Sequence, residues 1–323
     1  MASLRLALAA LLLAPALPAL ALQAQERADG IGPALRALMA EDARLQSIGW
    51  RLARANAAFC ANTAPGIGLL VLDAGSFGDP GAIRQVLRLT GDFAVDAVAA
   101  GSPAERAGLR AGSELLAIGA LRLDTLPGVA PRDYRRAVEV HDRIDRDLAA
   151  GGRVVLTLRD ASGQETVATV TGEPVCRSRF ELSDDGKRAA ADGARVIVDR
   201  AALTRNPDDD AAATLVAHEL AHNILGHPAR LDATSRSPGA VAATEREADR
   251  LAVWLIANAG YPPEAGARFA GHYLRRIDAG LFRVPTHDGW HERQALYRQE
   301  AEAVRLAQRQ TQLPLDWRPR FRR

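Results

Sequence analysis

The sequence predicts an α+β protein in which a helical start leads into a β-rich middle and then a mainly helical end. Three observations carry this. Between residues 31 and 58, Leu35, Leu38, Met39, Leu45, Ile48 and Leu52 recur at helical spacing with charges between them. From Cys60 to Cys176 the texture changes to short apolar runs punctuated by glycine, "GIGLLVL", "FAVDAVAA", "ELLAIG", "RVVLTLRD" and "ETVATV", which is the pattern of strands. After Arg177 the periodicity returns to that of helices through "DDDAAATLVAHELAHNILG" and "AATEREADRLAVWLIANAG".

Bulk properties bound the function classes. At 323 residues the chain has room for two ordinary domains, and 48% hydrophobic with 25% charged residues is globular composition. A formal net charge of +2 offers no field for nucleic acid. The first 21 residues read as a secretory signal: an early Arg5, an apolar run, Pro15 and Pro18, and Ala19-Leu20-Ala21 as the small-residue cleavage site. That run falls short of the about 20 residues a spanning helix needs. The mature protein is therefore expected to be exported without an integral membrane segment; a retained anchor is the alternative. In an oxidising compartment the two cysteines, Cys60 and Cys176, are expected to pair, the other reading being two separate buried thiols.

The elements follow in order. Residues 22–59 form a helical segment, with a possible break at Gly49. Residues 60–176 form the β-rich domain, whose one helix runs from Tyr134 to Ala149 with Tyr134, Val138 and Leu148 among its apolar positions. In residues 177–305, "ARVIVDRAAL" is a strand. Asn206-Pro207-Asp208-Asp209-Asp210 then announces a helix, with a capping side chain, proline in the first turn and acids at the positive end of the dipole. That helix is expected to stop at Gly226, with Pro228 beyond it. A second helix covers 241–259 and ends at Gly260, and a third reaches Ala279. Residues 306–323, closing on "WRPRFRR", read as a solvated basic tail.

"LVAHELAHNILGH" carries the chemistry. His218 and His222 stand four apart, so both imidazoles leave one face of a helix and can grip one ion. Glu219, beside a ligand, can take a proton from metal-bound water and pass it to a leaving amine. The chain has only seven histidines, which makes the H-E-x-x-H match specific. A catalytic zinc needs a third protein ligand and an open fourth position. The metzincin spacing is excluded, because Leu225 and Pro228 stand where glycine and histidine would. Glu245 is the better third ligand, with Asp249 one turn further along to orient a ligating histidine. Glu247, on another face, is the alternative.

Two resemblances add to this. "VDAVAAGSPAERAGLRAGSELLAIGALRL" is similar to the core of a PDZ domain. That likeness implies peptide binding by strand addition, with Gly66, Ile67, Gly68 and Leu69 of "PGIGL" as the carboxylate-holding loop; a β domain that binds nothing is the alternative. "HELAHNILGH", "EREAD" and "AGYPPEAG" together resemble the HtpX-like and CAAX-prenyl-protease family of gluzincin peptidases over about residues 194–296. The likeness implies one zinc held by His218, His222 and Glu245, with Glu219 as acid/base. It extends to Thr286-His287 and Arg293, His287 steadying the oxyanion, although Asp288 stands where the family usually has proline. The strand "RVIVDRAAL" is then the edge on which an extended substrate would pair. His141, His272 and His291 are assigned packing or surface roles. The implied protein is a periplasmic zinc endopeptidase acting on unfolded exported polypeptides. The competing class is a peptide-binding adaptor or chaperone with a structural or inactive metal site, in which Glu219 would have no use.

Overall fold

The structure, a computed structural model, describes residues 16–186, 189–234, 236–278 and 288–321. Most of the expected signal segment lies outside these residues. Helix α1 (Ala16–Ala55) begins within its last residues and runs unbroken through Gly49. Glycine is needed there for close approach rather than as a break, because a Cβ at Gly49 would overlap the Phe180 ring. No helix among the described residues is long and apolar enough to cross a membrane.

The β-rich middle opens with β1 (Thr63–Gly66) and β2 (Leu69–Asp73), followed by α2 (Pro80–Leu87). Sequence reading passed over α2, although Asp79 caps it and Pro80 occupies its first turn. Then come β3 (Phe93–Val98), α3 (Pro103–Arg106), β4 (Glu114–Ile118), β5 (Leu121–Arg122) and α4 (Arg135–Gly151). Strands β6 (Arg153–Arg159), β7 (Glu165–Thr171) and β8 (Glu173–Cys176) complete the unit. The main sheet has the order β2-β3-β4-β6-β7, with β5 paired to β4, while β1 pairs antiparallel with β8. Ile67, Val71, Phe93, Val95, Leu115, Ile144 and Leu156 fill the core between sheet and α4. Tyr134 is 60% exposed and precedes α4 rather than packing on its apolar face. Cys60 and Cys176 form a disulfide across 116 residues, clipping the two ends of this unit together.

Strands continue past Arg177. β9 (Arg179–Ser183), β10 (Ala189–Ala191) and β11 (Arg195–Asp199) form a three-stranded sheet of order β10-β11-β9, with β9 and β11 parallel. The "RVIVD" strand is therefore central, and β10 is the edge on its side. After α5 (Arg200–Thr204), helix α6 (Asp209–Ile224) is capped by Asp208, whose carboxylate accepts from the Asp210 amide. Asn206, the expected cap, instead donates to the Ala202 carbonyl. Gly226, at φ +64°, turns the chain into α7 (His227–Ala233), with Pro228 in its first turn.

Helix α8 (Pro238–Asn258) lies against α6. α9 (Ala265–Phe269), a π turn over Ala270–Leu274, and α10 (Arg275–Asp278) follow, then α11 (Trp290–Gln310) and α12 (Arg318–Phe321). Among the described residues the C-terminal segment is docked at two points and otherwise largely exposed. Leu315 and Trp317 are buried, the Trp317 indole donates to Asn56 Oδ1 at 3.1 Å, and Arg318 pairs with Asp316. Basic residues in the sequence masked two apolar anchors. One large core unites α1, α6, α8, α9 and α11 through Leu45, Leu52, Val216, Leu220, Leu251, Leu255, Phe269 and Tyr297.

Candidate metal centre

Three helices each contribute a pair of residues one turn apart, so each pair leaves a single face. Helix α6 supplies His218 and His222, α8 supplies Glu245 and Asp249, and α11 supplies Arg293 and Tyr297. The facing nitrogen and oxygen atoms converge. His218 Nε2 lies 3.2 Å from Glu245 Oε2 and 3.3 Å from His222 Nε2, which is 3.5 Å from Glu245 Oε1. A tetrahedral zinc with its usual bonds holds ligand atoms about 3.3 Å apart. His218, His222 and Glu245 thus form a group that could hold a metal ion, and two imidazoles with one carboxylate are a donor set suited to zinc. Glu247, the alternative ligand, faces away from this group and pairs with His227 and Arg230.

Electrostatics favour a cation at this point. Burial opposes charging of His218, yet the hydrogen bond and charge of Asp249, with Glu245 behind them, push its imidazole up to about 10. Two carboxylates around one histidine therefore draw in a positive charge, which a bound dication would supply instead of the proton. His222 goes the other way. Burial and the neighbouring His218 charge push it down to about 3, so it stays neutral with a lone pair to offer.

Behind the ligands lies a paired carboxylate. Asp249 Oδ1 is 2.8 Å from His218 Nδ1. Arg293 donates to both Asp249 oxygens, at 2.7 and 2.6 Å, and the Tyr297 hydroxyl donates to Oδ1 at 2.5 Å. Burial alone would raise this carboxyl, but Arg293 and His218 hold it well below the usual aspartate range. A fixed negative charge at Nδ1 sets the His218 tautomer and turns Nε2 toward the group. Tyr297 escaped sequence reading; its position one turn after Arg293 was the available signal. Gly266 makes room for it, since a Cβ there would overlap the Tyr297 ring.

Glu219 is buried on α6 directly after His218. Asn223, a turn further on, ties α6 to the small sheet. Its amide donates to the Arg195 carbonyl and to Ser178 Oγ, both at 2.9 Å, and its oxygen accepts from the Gly193 amide at 2.7 Å. That anchorage sets β10 and β11 alongside the histidine helix. His287 lies outside the described residues; Asp288, the next residue, pairs with Arg246 at 3.2 Å, one position beyond Glu245.

The "PGIGL" loop joins β1 to β2, the edge of the main sheet, and faces α4. Gly68 sits at φ +68°, Ile67 is buried, and their carbonyls accept from the Ala99 and Ala104 amides. A cavity of about 90 Å³ lies between loop and α4, and Trp50 of α1 and Arg179 and Phe180 of β9 also line it. His141 Nε2 accepts from the Val71 amide of β2 at 3.2 Å, and burial, then the Arg179 charge, push His141 down to about 4, keeping it an acceptor. A β2 donor that strand addition would use is thus already engaged. Compared with known proteins, the chain matches no family model, no curated protein and no solved structure.

Proposed function

We propose that this chain is a zinc-dependent endopeptidase, exported to the periplasm, that hydrolyses unfolded or misfolded polypeptides. The observation that supports it most is the convergence of His218, His222 and Glu245 at zinc-ligand separations, with Glu219 adjacent on the same helix. Zinc held there would lower the pKa of a bound water to about 7 and polarise the scissile carbonyl. The Glu219 carboxylate takes the proton from the attacking water and delivers it to the leaving amine. His287 is assigned the contact that steadies the oxyanion. Asp249 and Arg293 hold His218 in its ligating orientation.

An extended substrate would add to β10, the edge strand beside α6, whose three alanines leave room for a second backbone. The PDZ-like unit is the substrate-selecting or regulatory part. Trp50 of α1 and Phe180 of β9 line the groove beside its loop, so a peptide end bound there would also contact α1 and β9. The test is cleavage of casein by the purified chain, with a chelator and then zinc added back. Loss of cleavage with the chelator and recovery at one zinc per chain supports the proposal. A zinc-loaded chain that leaves casein intact contradicts the broad specificity, and one that leaves every tested polypeptide intact turns the reading to the adaptor class.

A further inference from the structure

A third histidine stands next to the ligand pair without joining it. Gly226 turns the chain so that His227, the first residue of α7, folds back over α6. Its side chain is 0% exposed, and its ring meets that of His222 edge to face. His227 Nδ1 lies 2.9 Å from His222 Nδ1, and His227 Nε2 lies 3.2 Å from Glu247 Oε2. The same Glu247 oxygen accepts from Arg230 Nη2 at 2.6 Å.

Proton bookkeeping fixes the direction of this chain. Two ring nitrogens at 2.9 Å share one proton, so one donates and the other accepts. His222 turns Nε2 toward His218 and Glu245, and a ligating nitrogen carries no proton. The His222 proton is therefore on Nδ1, where it donates to His227 Nδ1. His227 must then carry its own proton on Nε2, where it donates to Glu247, whose charge Arg230 balances.

Resting on the metal-site reading above, we propose that His227 is the positioning residue for His222. It fixes the tautomer and ring angle of the second ligand through an imidazole–carboxylate relay. His218 has the shorter version of the same device in Asp249 and Arg293. Both ring nitrogens of His227 are engaged by His222 and Glu247, so it does not become a fourth protein ligand. His227 thus leaves the fourth position of such a site to water and substrate.

The test is zinc affinity by competition with a chelator on the purified full chain, alongside the visible absorption of the cobalt-substituted protein. Both are measured for wild type, His227→Ala and His227→Asn. Loss of a partner behind a ligating histidine weakens metal binding about 10–100-fold, and His227→Ala is expected to fall in that range with a shifted cobalt spectrum. In His227→Asn the amide oxygen can accept the His222 proton where Nδ1 did, so affinity is expected to return to within a few-fold of wild type, with the wild-type spectrum. A purely packing role would leave both variants alike, and equal affinities of His227→Asn and His227→Ala overturn the proposal even if the alanine variant folds poorly. Wild-type affinity and spectrum in His227→Ala overturn it as well. A wild-type chain that takes up neither zinc nor cobalt overturns the metal-site reading itself.

Discussion

Asp249 and Asp96 are both buried aspartates, exposed by 1% and 8%, yet their surroundings drive them in opposite directions. At the metal centre, Arg293, Tyr297 and His218 all address Asp249, and its charge is held. At the junction of α1 with β3, Asp96 Oδ1 has no hydrogen-bond partner among the described residues and faces a second acid, Asp42. Burial, and for Asp42 also the Asp96 charge, raises Asp42 to about 8 and Asp96 to about 7. Arg200, itself paired with Glu41, lowers Asp42, but by less than burial and the neighbouring acids raise it. The difference teaches that burial does not set the state of a carboxyl; the donors around it do. One region uses a buried charge to aim a ligand, while the other tolerates two acids by holding protons.

Breaking the paired side should have the largest effect. Arg293→Met leaves the Asp249 charge buried without its cation, and about 3–5 kcal/mol of stability should be lost at pH 7 in the metal-free protein. Urea unfolding measures this, and a loss below about 1 kcal/mol would mean that Tyr297 and His218 suffice. The disulfide comes next. It closes a 116-residue loop, so the double variant Cys60→Ser, Cys176→Ser should lose about 2–4 kcal/mol, read from the same unfolding curves. If the loss is nearly nil, the core around Trp50, Val175 and Phe180 holds the ends of that loop together unaided.

The unpaired side gives the smallest effect and the clearest pH signature. Between pH about 4 and 8 the folded chain keeps protons on Asp42 and Asp96 that the unfolded chain has released. Folding stability should therefore fall as pH rises through that window and level off above it. Asp42→Asn removes one of these penalties. It should gain on the order of 1 kcal/mol at pH 9, gain little at pH 4, and flatten the slope between. A pH slope unchanged by Asp42→Asn would show that these acids do not set it.

How much of this was readable beforehand differs along the chain. Strands β3, β4, β6 and β7 announced themselves as apolar runs between glycines, and α6 and α8 through helical spacing with caps. β9 stayed hidden because "RFELS" has little pattern of its own; its pairing with β11 and the fit of Phe180 against Gly49 make it a strand. At the site, His218, His222, Glu245 and Asp249 were legible because their spacings are short and local, whereas Arg293 came only from the family resemblance. Tyr297 and the link from His227 to Glu247 depend on which helices meet, and no local spacing encodes that.

The most direct measurement is zinc content and casein cleavage of the purified chain, wild type beside Glu219→Gln. The account predicts near one zinc per chain in both and cleavage only in the wild type, because the amide keeps the ligands but cannot accept a proton. A Glu219→Gln protein that cleaves at the wild-type rate, or a wild type that binds no zinc, would contradict it.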